Sequence, residues 1–268
     1  MSAINAEVKE RPFFTILTAS LNGAATIGDT LQSIRSQTFG GFEHIVLDGG
    51  SRDGTQEVLR AWEDSYPLIW KSEHDLGIAD ALNKGLRLAR GEYILVLQAD
   101  DRFCNPDSLG KIHDCLAGNP CDFLILPVLF DHPEKGRLLL KPVRTLWWNH
   151  FKFIFCHQGC FENRRVFERI GEFRTAFSMT FDYDHFYRAL AAGCSVRFES
   201  FPATAMGGHG VSSCPSLLRR RLAEEYLVQR MNETHLLWRM LQQMFRMLYL
   251  PYKHLTCPAL RKANGQDG

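Results

Sequence analysis

The stretch that decides the fold is Gly91-Glu92-Tyr93-Ile94-Leu95-Val96-Leu97-Gln98-Ala99-Asp100-Asp101. Tyr93 to Leu97 is a short continuous apolar run, the pattern of a strand buried on both faces of a sheet. The run ends on two adjacent carboxylates. In an open α/β sheet, ligands collect at the carboxyl ends of the strands. Two acids there can hold Mg²⁺ or Mn²⁺ against phosphate oxygens, because such hard cations take one or two carboxylates plus substrate phosphates. The competing reading makes Asp100 and Asp101 caps for the helix that begins near Asn105-Pro106, since Asp is a favoured N-cap residue.

The flanking sequence alternates between strand and helix patterns. Phe13 to Thr18 reads as a first buried strand, and the polar loop Ala19-Ser20-Leu21-Asn22-Gly23 leads from it into a helix over 26–38. Ile27, Leu31 and Ile34 share one face of that helix. Phe42 to Leu47 is a second strand, with Asp48 at its tip and Gly49, Gly50 and Gly54 in the loop beyond, where backbone amides can approach a ligand. A helix from Asp53 to about Trp62, a strand over 68–71 and a helix over 78–89 follow. After the anchoring strand come a helix near 106–117 and a strand over 123–126. This alternation predicts an α/β fold, a mostly parallel Rossmann-like sheet flanked by helices, with right-handed crossovers. There is no GxGxxG after the first strand and no GxxxxGK[ST], which argues against a dinucleotide dehydrogenase and a P-loop kinase.

Composition narrows the class. A chain of 268 residues suits one large domain with an appendage, and 31 basic against 30 acidic residues gives no charge argument for a nucleic-acid partner. The eight cysteines show no CxxC or zinc-like spacing. They read as reduced, mostly buried thiols, which predicts a cytosolic compartment. Residues 1–11 are polar and charged, so a signal peptide is not expected, and there is no run of about 18 apolar residues.

Three segments in register carry a family resemblance: 48–55 (Asp-Gly-Gly-Ser-Arg-Asp-Gly-Thr), 75–85 (Asp-Leu-Gly-Ile-Ala-Asp-Ala-Leu-Asn-Lys-Gly) and 91–101. Their order and spacing resemble family 2 of the nucleotide-sugar glycosyltransferases, which have a GT-A fold, and the resemblance spans about 13–213. It implies inverting transfer of a sugar from a UDP- or GDP-linked donor to an acceptor hydroxyl, assisted by Mg²⁺ or Mn²⁺. By resemblance, Thr18, Ala19, Asn22, Asp48 and Ser51 line the nucleoside, with Asp48 accepting from the base edge. Asp80 and Lys84 lie beside the ribose and diphosphate. The family's D-x-D reads Gln98-Ala99-Asp100 here, so Asp100 becomes the expected direct metal ligand, with Asp101 in support.

The second half is expected to supply the acceptor side. Segment 127–141 reads as a hairpin, and Trp147, Trp148, Phe151 and Phe153 form an aromatic cluster that either stacks on sugars or fills the core. His157-Gln158 resembles the family's pair near the sugar, against a purely structural histidine. Asp182 and Asp184 open an amphipathic helix, where acids complement the helix dipole. The resemblance gives Asp182 the role of catalytic base, with Asp184 as alternative or orienting partner. Segment 207–213 resembles a loop closing over the diphosphate, and His209 within it is a candidate third metal ligand, since imidazole suits Mn²⁺.

The expected organisation is a tail over 1–12, the transferase domain over 13–213 (donor half to 126, acceptor half from 127), a helical appendage over 214–261 and a polar, disordered tail over 262–268. The appendage is basic and rich in Met and aromatics. It reads either as helix packed on the core or used in a homodimer, or as an amphipathic segment on an anionic membrane. The latter suits a lipid-linked acceptor, and otherwise the acceptor is a saccharide. It would make the protein peripheral on the inner face of the cell membrane. The pathway expected is cell-surface polysaccharide or glycolipid synthesis. A nucleotide-sugar-binding module without turnover is the competing function, suggested by Gln98, and a nucleotidyltransferase on a related fold is a further one.

Overall fold

The computed structural model describes residues 11–132, 135–208 and 217–256. A seven-stranded sheet forms the centre. Its elements include β1 (Phe14–Ser20), β2 (Phe42–Asp48), β3 (Leu68–Ser72) and β4 (Tyr93–Val96), with α1 (Ile27–Arg35), α2 (Thr55–Trp62) and α3 (Ile78–Leu88) as crossovers. After β5 (Arg102–Phe103) and α4 (Ser108–Gly118) come β6 (Phe123–Ile125), β7 (Val128–His132), β8 (Gly136–Leu140) and β9 (Cys160–Asn163). The chain continues through α5 (Arg164–Ile170), α6 (Phe181–Ala191), β10 (Val196–Phe198), β11 (Thr204–Met206), α7 (Leu218–Asn232) and α8 (Leu236–Thr256).

The strand order is β10-β6-β9-β4-β1-β2-β3. All neighbours are parallel except β9, which runs antiparallel between β4 and β6. The expected mostly parallel α/β sheet is therefore present. β4 is the central strand, with three on either side, and is buried along its whole length, so the apolar run of the deciding stretch is explained by helices covering both faces. Gly91 enters β4 where a Cβ would lie 2.4 Å from the Thr15 backbone nitrogen. Only glycine allows that approach, and its amide donates to Thr15 Oγ1 at 2.8 Å. The helices follow the expected periodicity: α1 buries Ile27, Leu31 and Ile34, each 0 % exposed. Losing any one to Ala would cost about 2–5 kcal/mol.

A second sheet, β5-β11-β7-β8, lies beside the first. The β7–β8 pair is the expected hairpin. β10 stops at Phe198 where its partner β6 ends, the Glu199 amide making the last bond, to the Ile125 carbonyl at 3.0 Å. A separate strand, β11, then pairs parallel with β7 and antiparallel with β5. That switch of sheets carries Gly207 back to Asp100. The helical appendage is two helices, with α7 against α6 and α8 folded back over Trp147, Trp148 and Phe151. The six cysteines among the described residues are free thiols. Among the described residues, no helix is long and apolar enough to cross a membrane. Apart from Arg11 and Pro12, the expected tails lie outside the described residues, as does the segment 209–213 with His209.

Candidate active site

A cleft of about 720 Å³ opens at the carboxyl ends of β1 and β4. Next to it, two loops are laced together. Asp48, 1 % exposed, accepts from the Ser51 amide at 3.0 Å, from Ser51 Oγ and from Ser72 Oγ at 2.6 Å. Ser51 Oγ in turn accepts from the Asn22 amide at 2.7 Å. Asn22 takes a left-handed φ of 52°, a conformation asparagine tolerates, and its Oδ1 accepts from the Arg52 amide. Asn22, Asp48 and Ser51 are not among the residues that line the cleft; they hold one another behind it, whereas Ala19 lines the cleft itself.

Thr18 corrects the sequence reading. Successive side chains of a strand face opposite ways, so with Ala19 towards the cleft Thr18 turns inward. It is 0 % exposed, donates to the Leu97 carbonyl at 2.6 Å and bonds His44 at 2.9 Å, so it does not line a nucleoside.

Asp80 and Lys84 form an ion pair at 3.2 Å one helical turn apart on α3. Asp80 Oδ2 also accepts from the Leu76 amide, and that bond together with Lys84 holds its carboxyl below the usual range. Burial pulls the Lys84 ammonium down, but its bonds to Asp80 and Glu73 more than reverse this and raise it. Lys84 also donates to the His74 carbonyl at 2.8 Å. The pair thus braces the loop whose Asp75 and Gly77 line the cleft.

The two terminal acids of the deciding stretch separate in role. Asp101 is 1 % exposed, and its carboxylate accepts from the Gln98 amide at 2.9 Å and the Gly207 amide at 3.2 Å. Burial, then the neighbouring Asp100 charge, pushes its pKa up to about 7. With each oxygen engaged by backbone, Asp101 ties β11 to the end of β4 and is not an open ligand. That corrects its supporting role at a metal. Asp100 is the opposite case: its Oδ2 is buried and without a hydrogen-bond partner. A Cβ on Gly207 would sit 2.5 Å from that oxygen. An orphaned carboxylate oxygen lining a cleft fits a hard cation that completes its shell with phosphates and water. Among the described residues no group of three or more metal-ligating side chains exists, so such a cation would rest on Asp100 and its substrate.

Asp182 and His157 both line the cleft. Asp182 Oδ1 accepts from the Tyr183 amide at 2.8 Å, and Oδ2 stands 3.6 Å from His157 Nδ1. Asp184 lies elsewhere. It is 0 % exposed and bound by Arg174 at 3.0 Å, Arg188 at 3.0 Å and Asn232 at 2.8 Å. Two residues apart on a helix are about 200° apart round its axis, so when Asp182 faces the cleft Asp184 faces the core. The alternative that made Asp184 the base is thereby corrected.

The appendage also lines the cleft, through Arg221, Glu225 and Tyr249. Glu225 pairs with Lys152, whose Nζ lies 4.8 Å from the Tyr249 ring centroid. Glu224 accepts from Ser178 Oγ at 2.6 Å and the Met179 amide at 2.8 Å, pinning the segment that precedes Asp182. Sequence reasoning did not bring Lys152, Arg221, Glu224, Glu225 and Tyr249 to the site; the only signal was the acids of α7, spaced to pair with Arg220 and Arg221. Of the aromatic cluster, Trp148 and Phe151 pack against α8, which favours the core reading, while Phe153 lines the cleft.

Comparison with known proteins agrees with this geometry. The family model described as "Glycosyl transferase family 2" matches residues 15–186. A PGL/p-HBAD biosynthesis glycosyltransferase of Mycobacterium tuberculosis is 29 % identical over 189 residues, covering 67 % of this chain and 70 % of the relative. Among solved structures, the mannosyltransferase PcManGT from Pyrobaculum calidifontis, in complex with GDP-Man and Mn²⁺, aligns with TM-score 0.66 at 20 % identity. The alignment covers 96 % of this chain and 74 % of that one. TarS of S. aureus aligns with TM-score 0.63 at 18 % identity, over 72 % of this chain and only 36 % of TarS. A shorter TarS, residues 1–349, solved in complex with UDP-GlcNAc, gives the same score over 80 % of this chain and 66 % of that one. These structural likenesses show a shared GT-A fold. The match over most of the chain, on a cleft walled by the ends of β1 and β4, places the protein in glycosyl transferase family 2.

Proposed function

We propose that the chain transfers a sugar with inversion from a nucleoside diphosphate to an acceptor hydroxyl, in cell-surface polysaccharide or glycolipid synthesis. The observation that carries this is the pairing, in one cleft, of the orphaned Asp100 oxygen with the open Asp182 carboxylate. Asp100 would hold Mg²⁺ or Mn²⁺, which when bound supplies charge neutralisation to the departing diphosphate. Asn22, Asp48 and Ser51 brace the nucleoside edge from behind, and the Asp80–Lys84 pair fixes the loop beside the diphosphate.

Asp182 Oδ2 takes the proton of the acceptor hydroxyl as that oxygen attacks the anomeric carbon. The new C–O bond forms on the face opposite the breaking bond to phosphate, and the diphosphate leaves with the electron pair, which inverts the centre. His157 stands against Oδ2 and fixes its orientation. The names of the relatives support both donor bases, UDP and GDP, and the Mycobacterium relative supports an acceptor of the glycolipid kind.

The second reading, a binding module without turnover, rests on the neutral Gln98 where the family has an acid. Both are tested by screening UDP- and GDP-sugars with Mn²⁺ for thermal stabilisation, which mass action produces on binding, and for donor consumption with saccharide acceptors. Stabilisation with turnover supports the enzyme. Stabilisation without turnover supports the module, and neither result overturns both.

A further inference from the structure

Helix α7 lies outside the stretch that the family model matches, which ends at residue 186, yet it grips the start of α6. Asn232 Nδ2 donates to Asp184 Oδ1 at 2.8 Å, and Gln229 Nε2 donates to Tyr183 Oη at 3.2 Å. Glu224, 8 % exposed, reaches the residues just before the helix. Its Oε1 accepts from Ser178 Oγ at 2.6 Å, and its Oε2 from the Met179 amide at 2.8 Å and Thr180 Oγ1 at 3.3 Å. One carboxylate thus holds three consecutive residues. Asp182 follows two positions later and lines the cleft.

Residues 171–180 carry α5 into α6 in irregular conformation, so no helix or strand ladder fixes the backbone that leads to Asp182. Thr180 is the N-cap of α6, but its side chain makes no bond to the helix and donates to Glu224 instead. The usual side-chain cap is therefore missing. Glu224 takes its place, setting a negative charge at the positive end of the helix. Burial pushes its carboxyl up, and the bonds from Ser178 and Met179 more than reverse this, so it is held charged. We propose that Glu224 is a positioning residue for Asp182: through residues 178–180 it fixes where α6 begins, and so where Asp182 Oδ2 points. The proposal rests on the transfer reading, in which Asp182 is the base. It gives the appendage a part in the chemistry, because a base displaced by about 1 Å loses about 10²-fold in rate.

The test is a set of turnover and donor-binding measurements on the full chain. Glu224→Ala takes the acceptor from the Met179 amide and releases residues 178–180. Turnover should fall about 10²-fold while the donor dissociation constant stays within a few-fold of the wild type. Glu224→Gln should bring turnover back to within about threefold of the wild type, because its Oε1 can accept from the Met179 amide and its Nε2 can donate to Ser178 Oγ. The deciding measurement is Glu224→Ala made in Asp182→Asn. A residue that acts through Asp182 has nothing left to position there, so the further loss in residual turnover should be under about twofold. If Glu224→Ala fails to fold, Ser178→Ala with Thr180→Val removes both hydroxyl donors and should slow turnover at least about tenfold, again only where Asp182 is intact. An equal loss in both backgrounds overturns the proposal and makes Glu224 a structural anchor alone. So does normal turnover in the folded variants, or a Glu224→Gln as slow as Glu224→Ala. Near-normal turnover in Asp182→Asn by itself defeats instead the reading on which the proposal rests.

Discussion

Asp182 Oδ2 and His157 Nδ1 stand 3.6 Å apart on one wall of the cleft, with Asp182 Oδ1 already held by the Tyr183 amide. One oxygen is thus fixed and the other is aimed. Asp182→Asn keeps the shape and the bond to the amide but removes the proton acceptor. Turnover should fall about 10²–10⁴-fold with the donor dissociation constant unchanged within a few-fold. Steady-state rates set beside calorimetric donor binding check this; near-normal turnover in the variant would remove Asp182 from the role of base.

Asp184 should behave in the opposite way. Its carboxylate is the common acceptor for Arg174, Arg188 and Asn232, and Arg188 is itself mostly buried. Asp184→Asn leaves those cations facing a neutral group, and breaking a buried pair in this manner costs about 3–5 kcal/mol. Chemical denaturation should show that loss, while the protein that remains folded turns over at close to the normal rate. A variant of full stability and no activity would return the catalytic role to Asp184.

Asp100 Oδ2 needs the space that Gly207 leaves. Asp100→Ala removes the oxygen, and Gly207→Ala pushes a methyl to within 2.5 Å of it. Each change should abolish the added thermal stabilisation that Mn²⁺ gives in the presence of nucleoside diphosphate. At a ligand concentration of 100 times the dissociation constant that increment is about 2.7 kcal/mol. Calorimetric scans with and without Mn²⁺ decide the matter, and an undiminished Mn²⁺ effect in Asp100→Ala would place the cation elsewhere.

How far these roles could be read beforehand depends on whether the signal is local. The run Tyr93 to Leu97 was legible because a strand covered on both faces must be apolar throughout. The hairpin β7–β8 was legible from turn residues between apolar runs. By contrast β5 and β11 are two and three residues long, too short to show a period, and β11 is defined only by its pairing with β5 and β7, far apart in the chain. Thr18 and Ala19 were grouped together, yet the alternation of a strand sends them to opposite faces. Asp182 and Asp184 were offered for one role, yet two positions on a helix stand about 200° apart, and it is the packing of Asp184 against Arg174, Arg188 and Asn232 that leaves Asp182 facing the cleft. Arg221, Glu225 and Tyr249 reach the site from far along the chain, a relationship that no local pattern encodes.

The end of the deciding stretch also sets an acid sensitivity. Thr18 Oγ1 has one hydrogen and gives it to the Leu97 carbonyl at 2.6 Å. His44 Nε2, at 2.9 Å, must therefore donate to Thr18, which leaves Nδ1 to accept from Tyr66 Oη at 2.8 Å. The neutral imidazole satisfies all three bonds, and burial lowers its pKa to about 3. In the unfolded chain the same group titrates near 6.5, so between about 3 and 6.5 the unfolded state binds more protons than the folded one. The stability that His44 contributes is whole above about 6.5 and is lost as pH falls, at about 1.4 kcal/mol per pH unit. His44→Gln can keep a donor and an acceptor but cannot take up a proton. Denaturation of both proteins across this range should show the wild type losing ground to the variant steadily below about 6.5 and running parallel to it above. Parallel curves throughout would mean that the folded imidazole titrates like a free one, and the buried chain from Leu97 to Tyr66 would then not be holding it neutral.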